Sequence, residues 1–178
     1  IGFDALRYNT AADNTAVGSV ALDANTTGAN NNAFGKGALT ANTTGTQNNA
    51  FGRGALQSCA TSNYNCAFGD YALEANTAGS NSAFGNRALY SNTTGSDLAA
   101  FGADALEANT TGSENTAIGL RALEANTTGG SNTGIGRKAI TTNTTGSLNT
   151  AVGADALYSN TTGNHNVAIG YQALEANT

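Results

Sequence analysis

Seven Asn-Thr-Thr triplets begin at Asn25, Asn42, Asn92, Asn109, Asn126, Asn143 and Asn160. Each fits the acceptor pattern for an N-linked glycan, which would run one sugar column along an edge of an extracellular filament. The competing reading is structural: Asn and Thr serve turn geometry, and stacked Asn side chains bond one another in ladders. Asn9, Asn76 and Cys59 fill the same slot without making an acceptor. A second Asn series, Asn31, Asn48, Asn65, Asn115, Asn132, Asn149 and Asn166, makes none either. Both facts favour the ladder.

Cys59 and Cys66 are the only cysteines, and they flank a turn in which Cys-Ala-Thr-Ser-Asn-Tyr-Asn-Cys replaces the usual Asn-Thr-Thr-Gly. In an oxidising compartment a disulfide stapling that turn is expected, adding about 2 kcal/mol by the chain-entropy argument. Zinc would ask for further Cys or His nearby, and the spacing is not that of a thioredoxin-like pair. His165 is the sole histidine and sits in a variable turn, so no repeating Ser-His-Asp or Cys-His arrangement is available. Glu107 and Glu124 share a repeat position, but Tyr, Thr and Gln interrupt that column, whereas calcium-binding repeats carry Asp in every turn. No catalytic, cofactor-binding or metal-binding residue is expected, and the chain does not read as an enzyme.

These residues are positioned by a repeat. A small residue, then Val, Ile or Phe, then Gly recurs with its Gly at 18, 35, 52, 69, 85, 102, 119, 136, 153 and 170. The step is 17 residues, except for one of 16 from Gly69 to Gly85 and another from Gly2 to Gly18. A fixed period this short marks a repeat architecture. The unit is too short for a helix and its return. Asn-Thr-Thr-Gly reads as a turn, the segment ending in Ala-Ile-Gly as a strand, and Ala-Leu-Glu-Ala as a second short strand or a corner. The fold class is therefore all-β, a β-solenoid of about ten coils stacked at roughly 4.8 Å. Residues 1–178 form one segment, with no linker or composition shift to divide it.

Stacking makes every repeat position a ladder. Phe34, Phe51, Phe68, Phe84 and Phe101 form one apolar column, and Leu39, Leu56, Leu73, Leu89, Leu106 and Leu123 another. Both are expected as core ladders, with Ala columns beside them. Neighbouring strand residues point to opposite faces, so Ala and the following Phe or Ile place apolar groups on both. One face lines the coil; the other asks for a cover, and a second and third copy of the chain supply it. A homotrimer about the fibre axis is expected, the alternative being a monomeric solenoid with a two-layer core.

The run Asn-Thr-Ala-Ile-Gly-Leu-Arg-Ala-Leu over residues 115–123 resembles the head repeats of trimeric autotransporter adhesins, whose shorter unit also centres on small-x-Ala-Ile-Gly-x-x-Ala. With Asn-Thr-Thr-Gly added, the unit is similar to repeats of bacteriophage tail fibres and related surface fibres. The resemblance implies a left-handed β-roll assembled as a trimer, outside the cell or on a virion.

Charged residues are only 11% of the chain and the net charge is −5, so there is no basic patch for nucleic acid. No apolar run reaches membrane-spanning length. With no Met, and with both ends inside a repeat, the chain reads as an internal piece of a longer fibre. The expected function is a structural shaft, extracellular, at a cell surface or in a virion, that displays a receptor-binding tip. Its partner is itself, with a cell-surface glycan as a further candidate. The alternatives are a solenoid that binds surface polysaccharide or ice, or a glycosylated bacterial surface filament.

Overall fold

Each coil spends three residues on a strand and the rest on turns. The computed structural model describes residues 1–177; Thr178, counted in the repetitive segment, lies outside the described residues. The strands are β1 (Thr15–Val17), β2 (Asn32–Phe34), β3 (Asn49–Phe51), β4 (Cys66–Phe68), β5 (Ser82–Phe84), β6 (Ala99–Phe101), β7 (Thr116–Ile118), β8 (Thr133–Ile135), β9 (Thr150–Val152) and β10 (Val167–Ile169). They pair in chain order as one parallel sheet. Like residues face like, as in Ala33 to Ala50 and Phe34 to Phe51. The chain is the β-solenoid its period predicts, about 43 Å from β1 to β10 at roughly 4.8 Å per step.

The anchor glycine follows from the corner behind each strand. Gly119 has φ +135, and a Cβ there would lie 2.5 Å from the Gly136 carbonyl oxygen of the next coil. Any side chain would push the coils apart, so glycine recurs at every corner.

A second strand does not form over Ala-Leu-x-Ala; that segment is the corner. Two turns follow one another, closed in one coil by Ala105 N–H to Gly102 O at 3.3 Å and Asn109 N–H to Leu106 O at 3.1 Å. The leucines take left-handed backbone angles, with Leu106 at φ 53. That conformation costs a non-glycine residue about 1 kcal/mol or more. It turns each leucine wholly inward, at 0% exposure for Leu22 through Leu157, and full burial returns about 1.5–3 kcal/mol. It also aims the leucine N–H at the next coil, as in Leu106 to Ala122 O at 3.0 Å.

The core is thus a Leu column, two Ala columns and, unusually, two Asn columns, all buried. The 16-residue coils drop a residue from the Asn turn without disturbing the strands. Asn76 donates to the carbonyl of Ala78, two residues on, where Asn92 reaches Gly95, three on. No helix among the described residues is long and apolar enough to cross a membrane.

Candidate functional site: the outer sheet face

On every strand the middle residue points into the core and its two neighbours point out. The last strand position makes a single column down the outside: Val17, five phenylalanines, Ile118, Ile135, Val152 and Ile169. Because each coil repeats the rotamer of the last, ring spacing equals the coil rise. Phe34, Phe51, Phe68, Phe84 and Phe101 stack at 4.4–4.9 Å between centroids, within 7° of parallel. Phe34 and Phe68 remain 37% exposed and Ile118 41%.

The expected Phe core ladder is therefore corrected. Within one chain it is a surface ladder, because Ala has already taken the inward strand position and Leu has filled the space behind it. Beside it runs a smaller polar column, where Asn32 donates to Asn49 at 2.9 Å and Thr116, Thr133 and Thr150 follow. The Leu39, Leu56, Leu73, Leu89, Leu106 and Leu123 column is core as expected.

For the Asn-Thr-Thr triplets, burial favours the ladder over the glycan reading. Asn25, Asn42, Asn92, Asn109, Asn126, Asn143 and Asn160 are all 0% exposed. Asn109 donates from Nδ2 to Asn92 Oδ1 at 2.8 Å and to Gly112 O at 2.9 Å, while its Oδ1 accepts from Asn126 at 2.9 Å. The atom that would carry sugar is spent inside the fold. The second Asn series bridges coils as well: Asn115 donates to Gly129 O and accepts from the Asn132 N–H. The first Thr of each triplet works alongside, Thr110 Oγ1 donating to Thr127 O at 3.0 Å.

The expected Cys59–Cys66 staple does not form; both thiols are free. Cys59 occupies an Asn slot in the core, with Sγ 3.1 Å from Ser62 Oγ. Cys66 opens β4, whose first residue lies on the outer face. Burial raises the Cys59 thiol above its ordinary pKa against the lowering effect of its hydrogen bonds to Ser62 and Asn65, and burial raises Cys66 too.

His165 is exposed, as read from its turn, and holds a left-handed angle of φ 60. Ion pairs link charged side chains of neighbouring coils. Asp104 meets Arg121 at 3.7 Å, whereas Arg87 reaches Glu107 and Arg137 reaches Asp155. Among the described residues no three His, Cys, Asp or Glu side chains gather closely enough to hold a metal ion.

No family model, no curated protein and no solved structure matches this chain. The functional reading rests on the molecule itself.

Proposed function

We propose that this chain is a shaft segment of an extracellular or viral fibre, of the tail-fibre or adhesin kind, which assembles with copies of itself and holds a binding tip at a distance. The observation that carries the reading is the uncovered column from Val17 to Ile169. Its apolar groups recur at every coil in constant register, so a like column on a second and third copy can cover it along its whole length. Contiguous apolar surface of this kind marks an interaction site. The length comes from hydrogen-bonded stacking alone, which suits a spacer.

Native mass spectrometry tests the proposal. Three times the 17.7 kDa chain mass is expected for the unmodified chain. The double variant Phe68→Asp/Ile118→Asp should run as a folded monomer, because both side chains lie outside the core. A monomeric mass for the unmodified chain at micromolar concentration would rule the trimer out.

A further inference from the structure

The second residue after each anchor glycine carries an outward side chain in nearly every coil, whatever its chemistry: Asp4, Val20, Tyr71, Arg87, Asp104 and so on. Gly37 and Gly54 break the rule in consecutive coils. Their backbone stays in the same left-handed region, at φ 72 and 66 against φ 53–59 for the non-glycine residues of that column. Glycine is therefore not demanded there by the turn. What its presence does is remove two side chains side by side.

The gap is a cleft of about 310 Å³, open to solvent, with Val20 at one end and Tyr71 at the other. A Cβ on Gly37 would meet only Thr40 Oγ1, at 3.5 Å, so this glycine leaves the space open. The Tyr71 ring leans over Gly54, where a Cβ would lie 2.8 Å from its Cδ1. Thr40 and Gln57 line the floor and present polar atoms. Two of the chain's seven cationic side chains border the cleft. The Arg53 guanidinium sits 4.6 Å from the Tyr71 centroid and only 3.8 Å from the Asp70 carboxylate. Lys36 has no carboxylate within ion-pair distance among the described residues.

We infer that this cleft binds an acidic sugar, a uronic-acid unit of a surface polysaccharide. The apolar ends at Val20 and Tyr71 take the C–H faces of the sugar ring. Thr40 and Gln57 meet hydroxyl groups, and the unpaired Lys36 ammonium, with Arg53 beside it, meets the ring carboxylate. In a chain of net charge −5, the unpaired Lys36 cation set near an aromatic ring favours an acidic ligand over a neutral one. The site is volume-matched to the small end of ligand pockets, and its open side lets a polymer run on past it. The inference stands whether or not the shaft reading does, since one chain supplies every group.

The test is titration calorimetry with a glucuronate-containing tetrasaccharide, a neutral glucose tetrasaccharide and a sulfated but carboxylate-free tetrasaccharide, on the full chain in its native assembly. The glucuronate ligand should bind about tenfold more tightly than the other two, the equivalent of one charge-assisted contact. Lys36→Gln should erase that preference. Gly37→Asp should abolish binding by filling the cleft with a like charge, and should fold normally because Asp4, Asp104 and Asp155 occupy the same left-handed position. If Gly37→Asp fails to fold, Lys36→Gln decides. Unchanged binding in Lys36→Gln, equal affinity for the neutral sugar, tighter binding of the sulfated one, or no heat with the glucuronate ligand at about 10 mM, well beyond the millimolar range of the weakest affinities considered, would each overturn the assignment.

Discussion

Asn42 stands one coil before Cys59, and its Oδ1 is buried without a hydrogen-bond partner. At the other end of the same amide, Nδ2 donates normally to Asn25 Oδ1 at 2.7 Å. The donor missing from Oδ1 is the amide that Cys59 replaces. Ser62 explains why it is missing. In the regular coils the fourth turn residue is glycine, and a Cβ there would lie 2.7 Å from Asn25 Oδ1 or 2.8 Å from Asn109 Oδ1. Ser62 brings that Cβ, so an asparagine cannot stand at position 59. The two substitutions are one event. Cys59→Asn alone should destabilise the chain, whereas Cys59→Asn with Ser62→Gly should exceed the native chain by about 1 kcal/mol through the restored bond. Urea unfolding of all four combinations measures the coupling, and additive single effects would refute the steric link.

The Asn-Thr-Thr triplets separate a ladder from a glycan site by their third residue. Thr111 is exposed, whereas Asn109 is buried with both ends of its amide engaged. Thr111→Ala destroys the acceptor pattern and should change stability by no more than about 0.5 kcal/mol. Asn109→Ala removes three buried hydrogen bonds and should cost about 2–4 kcal/mol. Protein secreted from a glycosylating host should show no glycan mass at Asn109. Comparable losses for the two variants would remove the ladder from its structural role.

The period, the strand ending in Ala-Phe or Ala-Ile, and the Leu and Asn columns are all legible in the sequence, because stacking turns a repeat position into a column whatever the coil's exact path. The inside and outside of that path are harder to read. Phe34 and Leu39 are similarly apolar, but Ala33 takes the inward strand position and leaves Phe34 out, while the left-handed turn at Leu39 sends the leucine in. Nothing in residue type announces a column with ten leucines at positive φ. The cysteines mislead for a related reason: Cys59 and Cys66 look like a pair in sequence but lie on opposite sides of the coil wall. Ser62 in the glycine slot was the available signal. The cleft is visible as Gly37 and Gly54 in one column, yet its lining by Tyr71 and Arg53 needs the stack.

The two thiols should differ sharply in reactivity. Iodoacetamide should label Cys66 in the folded chain, and Cys59 only as fast as the chain unfolds, which mass spectrometry of timed samples resolves. Folding raises both thiol pKa values. The folded chain then keeps protons that the unfolded chain would release. Stability from this source is full below the unfolded thiol pKa of about 8.5 and falls as pH rises through it. Replacing both cysteines by Ala should flatten that fall between roughly pH 8 and 10. A decline of equal steepness in the double variant would assign it elsewhere.

Ile140 is the one β-branched residue in the leucine column, and it too is held left-handed, at φ 54, with 0% exposure. Branching at Cβ makes positive φ costlier than it is for leucine. Elsewhere in a core, exchanging Ile for Leu disturbs packing and usually costs up to about 1.5 kcal/mol. Here the sign should reverse. Leu123 and Leu157, the residues one coil either side, show that the column accepts leucine at φ 54 and 53. Ile140→Leu should therefore stabilise the chain by about 0.5–1 kcal/mol, the scale of a relieved backbone strain. The reverse change, Leu123→Ile, should destabilise by a similar or larger amount. Thermal unfolding of the pair tests the claim: if both exchanges destabilise, packing rather than backbone angle governs the column, and the strain assigned to these corners is not there.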